Sequence, residues 1–524
     1  MKWRPLIFWA LAFAFAATTV WWALYVPRDS RAPLRAIPAG ATWVGAHYRL
    51  AERWDSMSEN PLLASMAGAL GVDEEDWEET LASPDTRKFL DTFARDELAL
   101  AYVPKMRATG RPAWVFAAWL GGRSQRLRWT LKSIKDPTLR PASARNGWRV
   151  WVWTPKKMKN GERITFALVE GMVVGCIATD TLGIEDVLAC VDGHMTSLAM
   201  LPALSVPPAR EGADRGWVRV PAEGGWGPPI RYTLEFLDGG RLRGTVTAPG
   251  NPVGLRPAPA AHSLDEFSAL LGDRPAAALV VDRALAQWWI ARAFTNPVGR
   301  EVAALLRMDG PGAAGFALVG GPYSGRFRAV RLPSVLAGFS AEDPAGVVRG
   351  ISGAFDRLNA ATGWGLIPQP ISVGTQRVYA IEATGRSMYA QADVKERIAY
   401  VPLERSVVFA SNLEALTKIV REAQSGEGPS GRRLDEGMRR MRDRHALAYL
   451  WMDLDDGAKL LRLAITAWSL KLLVENPRES LPMRQRLNEA KAWIDALAPQ
   501  RLLQIWARPR QDSLEYEFML GEES

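Results

Sequence analysis

"ITFALVEGMVV" (Ile164–Val174) and "IAYVPLERSVV" (Ile398–Val408) lie 234 positions apart. They match without a gap at the leading isoleucine, the aromatic two places on, the glutamate and the closing Val-Val pair. The same separation carries Leu182 onto Leu416 and Trp217 onto Trp451. A separation of 235 carries "LAERW" (Leu50–Trp54) onto "LAQWW" (Leu285–Trp289), each followed by an Asn-Pro pair, Asn60-Pro61 and Asn296-Pro297. Self-similarity at a nearly constant offset marks a duplicated unit, so the chain reads as two homologous modules.

Composition fits that reading. The 524 residues are 48% hydrophobic and 23% charged, with a mean hydropathy of −0.10, which excludes disordered and polytopic membrane classes. The length exceeds what one hydrophobic core usually serves. The expected order is a membrane anchor and stalk over 1–35, module one over 36–248, a linker over 249–271 and module two over 272–520. The linker rests on "PGNPVGLRPAPAAH" (Pro249–His262), which propagates neither helix nor ladder.

Within module one, "ATWVGAHYRL", "ELALAYV" and "RPAWVFAAWL" read as strands, and "ENPLLASMAGAL" and "PDTRKFLDTFA" as helices. "WRVWVWT" with "RITFALVE", and later "RYTLEFLDGGRLRGTVTA", read as hairpins. The expected class is α+β: largely antiparallel sheet with helices on one face. Fourteen positions separate Trp217 from Arg231, whereas fifty separate Trp451 from Arg501. The surplus in module two reads as an inserted helical hairpin, 455–498. It is extra core packing or a docking surface for a protein partner, with Trp468, Met483 and Trp493 as candidate anchors.

The segment Pro5–Val26 contains no charged residue. Its 22 residues, at ~1.5 Å each, are long enough to cross a ~30 Å hydrocarbon core. Trp21, Trp22 and Tyr25 suit the headgroup level at its far end, and Lys2 and Arg4 favour a cytoplasmic start. Ala14-Phe15-Ala16 offers a signal-cleavage site, but cutting there would leave an apolar new terminus. The expectation is therefore a single-pass protein of the cytoplasmic (inner) membrane with its bulk in the periplasm.

Signals for catalysis fail on context. "GPGAAG" (Gly310–Gly315) has the dinucleotide-loop form, but a helical pattern precedes it and a strand pattern follows, the reverse of what a cofactor loop needs. "MDLDDG" (Met452–Gly457) lacks the glycine and glutamate of a calcium loop and reads as a helix start, with Asp455 or Asp456 as cap. His47, His194, His262 and His445 are scattered, and neither a G-x-S-x-G nor an S-x-x-K arrangement occurs. No cofactor and no metal site is expected.

Cys176 and Cys190, the only cysteines, form a disulfide or remain two reduced thiols, since spacing alone does not bring their Cα atoms within bonding range. The net charge of +8 suits an anionic lipid or envelope polymer more than nucleic acid at a membrane-tethered location. Its densest runs are Thr154–Arg163 and Met438–His445. The 22 tryptophans mostly fall inside strand and helix patterns, as core packing requires.

The opening "AIPAGATWVGAHYRL" (Ala36–Leu50) and the overall layout resemble uncharacterised bacterial proteins with an N-terminal anchor and duplicated extracytoplasmic α+β modules. The resemblance implies location and fold class, and no substrate. The expectation is a non-enzymatic, membrane-tethered binding or assembly protein. The alternatives are a carrier or sensor of an apolar or anionic ligand, and an envelope hydrolase. An enclosed apolar cavity would favour the carrier, and a cleft gathering His, Ser and carboxylates the hydrolase.

Overall fold

The structure, a computed structural model, describes residues 31–69 and 84–521 apart from 135–136, 146, 155–160, 205, 207–212, 223–224, 238–240, 250–264, 272–274, 294–295, 307–311, 321–324, 328–329, 386–393, 426–438, 440, 442, 444, 476–479 and 511, and before residue 31 only 13–15, 18 and 29. The acidic stretch Asp73–Glu79 and most of Pro5–Val26 and of Pro249–His262 lie outside the described residues. Among those described, no helix is long and apolar enough to cross a membrane. The chain divides into two compact units, Met1–Asn60 with Glu74–Phe236, and Pro61–Asp73 with Leu237–Ser524. The strand Leu242–Pro249 and the helix Pro61–Ala69, assigned from sequence to module one, thus belong to the second unit.

Along the chain, unit 1 comprises α1 (Ala32–Arg35), β1 (Trp43–Tyr48) and α2 (Leu50–Ser58). After α3 (Pro61–Ala69), which belongs to unit 2, come α4 (Pro84–Phe93), β2 (Glu97–Val103), β3 (Ala113–Trp119) and α5 (Arg123–Ser133). There follow β4 (Leu139–Pro141), β5 (Val150–Trp153), β6 (Arg163–Val169), β7 (Met172–Ala178) and α6 (Ile184–Val191). The last elements are β8 (Asp214–Val218), a small ribbon of β9 (Pro221–Ala222) and β10 (Gly225–Trp226), and β11 (Ile230–Phe236). Antiparallel pairing sets the strand order β4-β5-β6-β7-β3-β2-β1-β8-β11.

Unit 2 contains β12 (Leu242–Pro249), α7 (Asp265–Leu271), β13 (Pro275–Asp282), α8 (Arg283–Ala293), α9 (Pro297–Leu305) and β14 (Ala313–Val319). A ribbon of β15 (Gly325–Phe327) and β16 (Val330–Leu332) leads to β17 (Ser334–Ser340), α10 (Pro344–Thr362), β18 (Leu366–Val373), β19 (Gln376–Ala383), β20 (Ala399–Pro402) and β21 (Ser406–Ala410). Then come α11 (Leu413–Ser425), β22 (Ala448–Asp453), α12 (Leu454–Glu475), α13 (Ser480–Leu497), β23 (Leu502–Pro509) and β24 (Ser513–Leu520). The order is β18-β19-β20-β21-β17-β14-β13-β22-β23-β24-β12, again antiparallel throughout.

The first nine positions of the two orders correspond strand for strand, and so does register. Leu168 pairs with Val173 as Pro402 pairs with Val407. Val44 pairs with Trp217 as Ala278 pairs with Trp451. Each of these residues lies 234 positions from its counterpart. One alignment shifts: Asp180 accepts from the backbone at the start of α6 as Asn412 does at the start of α11, which sets Ile184 opposite Leu416. Burial agrees, since Ile184 and Leu416 are buried and Leu182 is exposed. The pairing of Leu182 with Leu416 is therefore corrected.

Helices cover both faces of the unit 2 sheet, not one. Val280, Val401, Val408 and Tyr449 pack with α7 and α11 on one side. Their neighbours Val281, Tyr400, Val407 and Ala448 pack with α8 and α10 on the other. Adjacent strand residues point to opposite faces, so a run such as "PAAALVVD" needs cover on both. The expected linker 249–271 likewise ends in helix α7, whose Phe267 lies on the sheet against Gly315 and Gly338. A Cβ at either glycine would come within 2.6 Å of that ring. Gly315, from the glycine-rich motif, thus serves close packing, in a helix-then-strand context.

Candidate functional site

In unit 1, α1 and α6 bury one face of the sheet through Leu34, Ile184, Val187 and Leu188 against Val44, Val115, Ala167, Val174 and Trp217. On the opposite face, α4 and α5 leave a cavity of about 600 Å³. Its floor is Phe116, Ile164, Phe166, Val173 and Trp153, the strand positions alternate to the packed set. Its wall is Leu127 and Leu131 of α5 with Leu120 and Ile134 at its ends, a spacing that sets apolar side chains along one helix face. Arg128 ties α5 to β6 through Leu168 O at 3.0 Å. The volume falls within the ~300–1,000 Å³ of small-molecule sites.

Unit 2 fills the corresponding space. There α10 has 19 residues against 11 in α5, and it buries Val347, Ile351, Ala354 and Leu358. Where unit 1 has Phe166 and Val173, unit 2 has Tyr400 and Val407. Tyr400 stacks on Tyr379 at 4.9 Å and meets Phe409 at 5.4 Å. Arg283 is buried over the Phe339 ring, donating to Leu306 O at 2.9 Å and Ser340 O at 2.7 Å.

The polar lining of the unit 1 cavity is Asp91, Thr92, Arg95, Arg123, Arg126 and Thr130. Arg123 pairs with Asp96 and donates through Nε to Leu120 O at 3.3 Å, while its Nη1 is buried with no acceptor among the described residues. Asp91 pairs with Arg87 at 3.4 Å. This site escaped the sequence reading. A usable signal was "RSQRLRWTLKS" in α5, four cations and no acid in eleven residues, a charge imbalance that helix side-chain pairing would ordinarily relieve.

A second polar cluster in unit 1 joins β1, α2 and β8. Asp214 accepts from Arg53 at 2.6 Å and contacts His47 Nδ1 at 2.9 Å. Burial alone would raise the Asp214 carboxyl, but His47 and Arg53 outweigh it and hold it below the usual carboxylate range. His47 Nε2 is buried with no hydrogen-bond partner among the described residues, so no hydroxyl or thiol stands bonded to it as a nucleophile would.

Cys176 and Cys190 are both free and buried. Burial first, then Asp180 and Asp186 at Cys176 and Asp186 at Cys190, pushes each thiol up to about 12. Both stay protonated at neutral pH and inert as nucleophiles. Trp468 lies in α12 and Met483 in α13, with side chains outside the described residues. Trp493 on α13 is half-buried, and α3 packs against that helix. The inserted hairpin thus already receives a helix from its own chain. Asp453, not Asp455 or Asp456, caps α12, accepting from both of their backbone N–H groups. Residues 155–160 of the first basic run, and 438, 440, 442 and 444 of the second, lie outside the described residues. Among the described residues no three His, Cys, Asp or Glu side chains gather as metal ligands.

No family model, no curated protein and no solved structure matches the chain.

Proposed function

We propose that the protein is a membrane-tethered extracytoplasmic binding protein whose first unit carries a small apolar molecule between α5 and the sheet. One observation carries this reading: the 600 Å³ apolar cavity of unit 1 occupies the face that unit 2 closes with a longer helix and stacked aromatics. Two homologous modules, one left open and one filled, are the economical account of a shared strand order with a shared register. The tether rests on the uncharged 22-residue segment Pro5–Val26. A carrier fits better than an assembly factor, because α3 sits on the helix proposed to dock a partner.

Binding of a homologous series of linear alcohols to the full chain tests the reading. Each methylene removed from water contributes ~0.8 kcal/mol, so affinity should rise about fourfold per carbon until the cavity is full. Leu127→Trp, which places a ring in the cavity from a half-buried position, should abolish binding with little change in thermal stability. A flat response to chain length would end the carrier reading.

A further inference from the structure

Resting on the cavity reading, we infer that the ligand is an anionic amphiphile, a long apolar chain ended by a carboxylate or phosphate, with its head held by Arg95, Arg123 and Arg126. The cavity lining holds three arginines and one aspartate. The aspartate, Asp91, is compensated by Arg87, and Asp96 compensates Arg123. Arg95 and Arg126 have no acidic partner among the described residues, so the mouth carries uncompensated positive charge. Arg123 adds a directional element. Its Nε and Nη2 are engaged, and its buried Nη1 lacks an acceptor. An unmet donor of this kind costs free energy until a ligand oxygen meets it. A guanidinium offers planar, forked donors that suit carboxylate and phosphate alike. The apolar floor excludes a small inorganic anion as sole occupant, since Phe116, Ile164, Phe166 and Trp153 would remain facing an empty cavity.

The outer side of α5 indicates where such a molecule is met. Trp129 is 77% exposed, on the helix that also carries Arg126 and Lys132. An exposed indole beside cations settles at the headgroup level of an anionic bilayer.

The test compares dodecanoate with dodecanol, equal in chain and different in head, by calorimetry on the full chain kept soluble with an amphipathic polymer. Dodecanoate should bind about tenfold more tightly, ~1.4 kcal/mol. That advantage should vanish in Arg123→Gln and in the double variant Arg95→Gln/Arg126→Gln, the loss falling on dodecanoate. The double variant leaves the Arg123–Asp96 pair intact and so guards against a folding defect. Equal binding of the two probes overturns the anionic head while leaving the cavity reading in place. Binding of neither removes the cavity reading itself. An advantage that persists in every variant overturns the arginine assignment. A parallel arm with phosphatidylglycerol and phosphatidylcholine vesicles separates the sources: lipid removal confined to the anionic vesicles assigns a bilayer phosphate, and binding of dodecanoate alone assigns a free acid.

Discussion

Asp214 shows what a single side chain decides in unit 1. Its carboxylate is buried and answers two cationic or potentially cationic groups from different elements, Arg53 of α2 and His47 of β1. Removing the charge leaves Arg53 largely buried without its counter-ion, the situation that makes broken internal pairs expensive. Asp214→Asn should lower unfolding stability by about 3 kcal/mol in denaturant titration. The pH dependence has a definite sign. With its folded pKa depressed, Asp214 contributes stability that is fully present above the ordinary aspartate value of ~3.9 and is lost as pH falls through the lower folded value. Acid unfolding of the variant should lack that component, and an unchanged acid transition would refute the assignment. None of this pairing was visible in sequence, because His47 and Asp214 are separated by most of unit 1 and meet only through the β1–β8 ladder.

At the scale of elements, the contrast between α5 and α10 decides which unit is open. Both helices follow the strand that pairs with β7 or β21, and they begin 221 positions apart, as do the strands before them. In α10, Ile351 is fully buried between helix and sheet, so Ile351→Ala should cost about 2–5 kcal/mol on chemical unfolding. Leu127 of α5 faces the cavity, where truncation leaves little new void, and Leu127→Ala should cost clearly less in the same measurement. Equal losses would mean that the two helices are equally packed. The helices themselves were legible in the inserted hairpin, where length and apolar content announce α12 and α13. Cover on both sheet faces left a mark in continuous runs such as "GMVVGCIA" (Gly171–Ala178), which alternation alone would not produce, although the hairpin turns led the expectation to helices on one face. The cavity was not legible, because it depends on how far a helix stands from a sheet.

For the whole molecule, the proposed tether makes a definite prediction about topology. A reporter active only in the periplasm, fused after Arg35 or after Ser524, should be active at both positions. Activity at the first and silence at the second would require another crossing in the chain. The sequence by itself determined the duplication and the strand pairs that carry it. Val173-Val174 and Val407-Val408, 234 positions on, retain their type because buried positions on a shared sheet tolerate little change, and that constraint leaves a trace in one dimension. It also determined the antiparallel α+β class, through short apolar runs and hairpin turns. Only the tertiary structure decided that α3 packs with the hairpin of unit 2, that both thiols are buried, and that one unit keeps a cavity which the other fills. These outcomes depend on distances between elements remote in sequence. Such distances are set by side-chain volume and helix length acting together in space, and no local pattern encodes that sum.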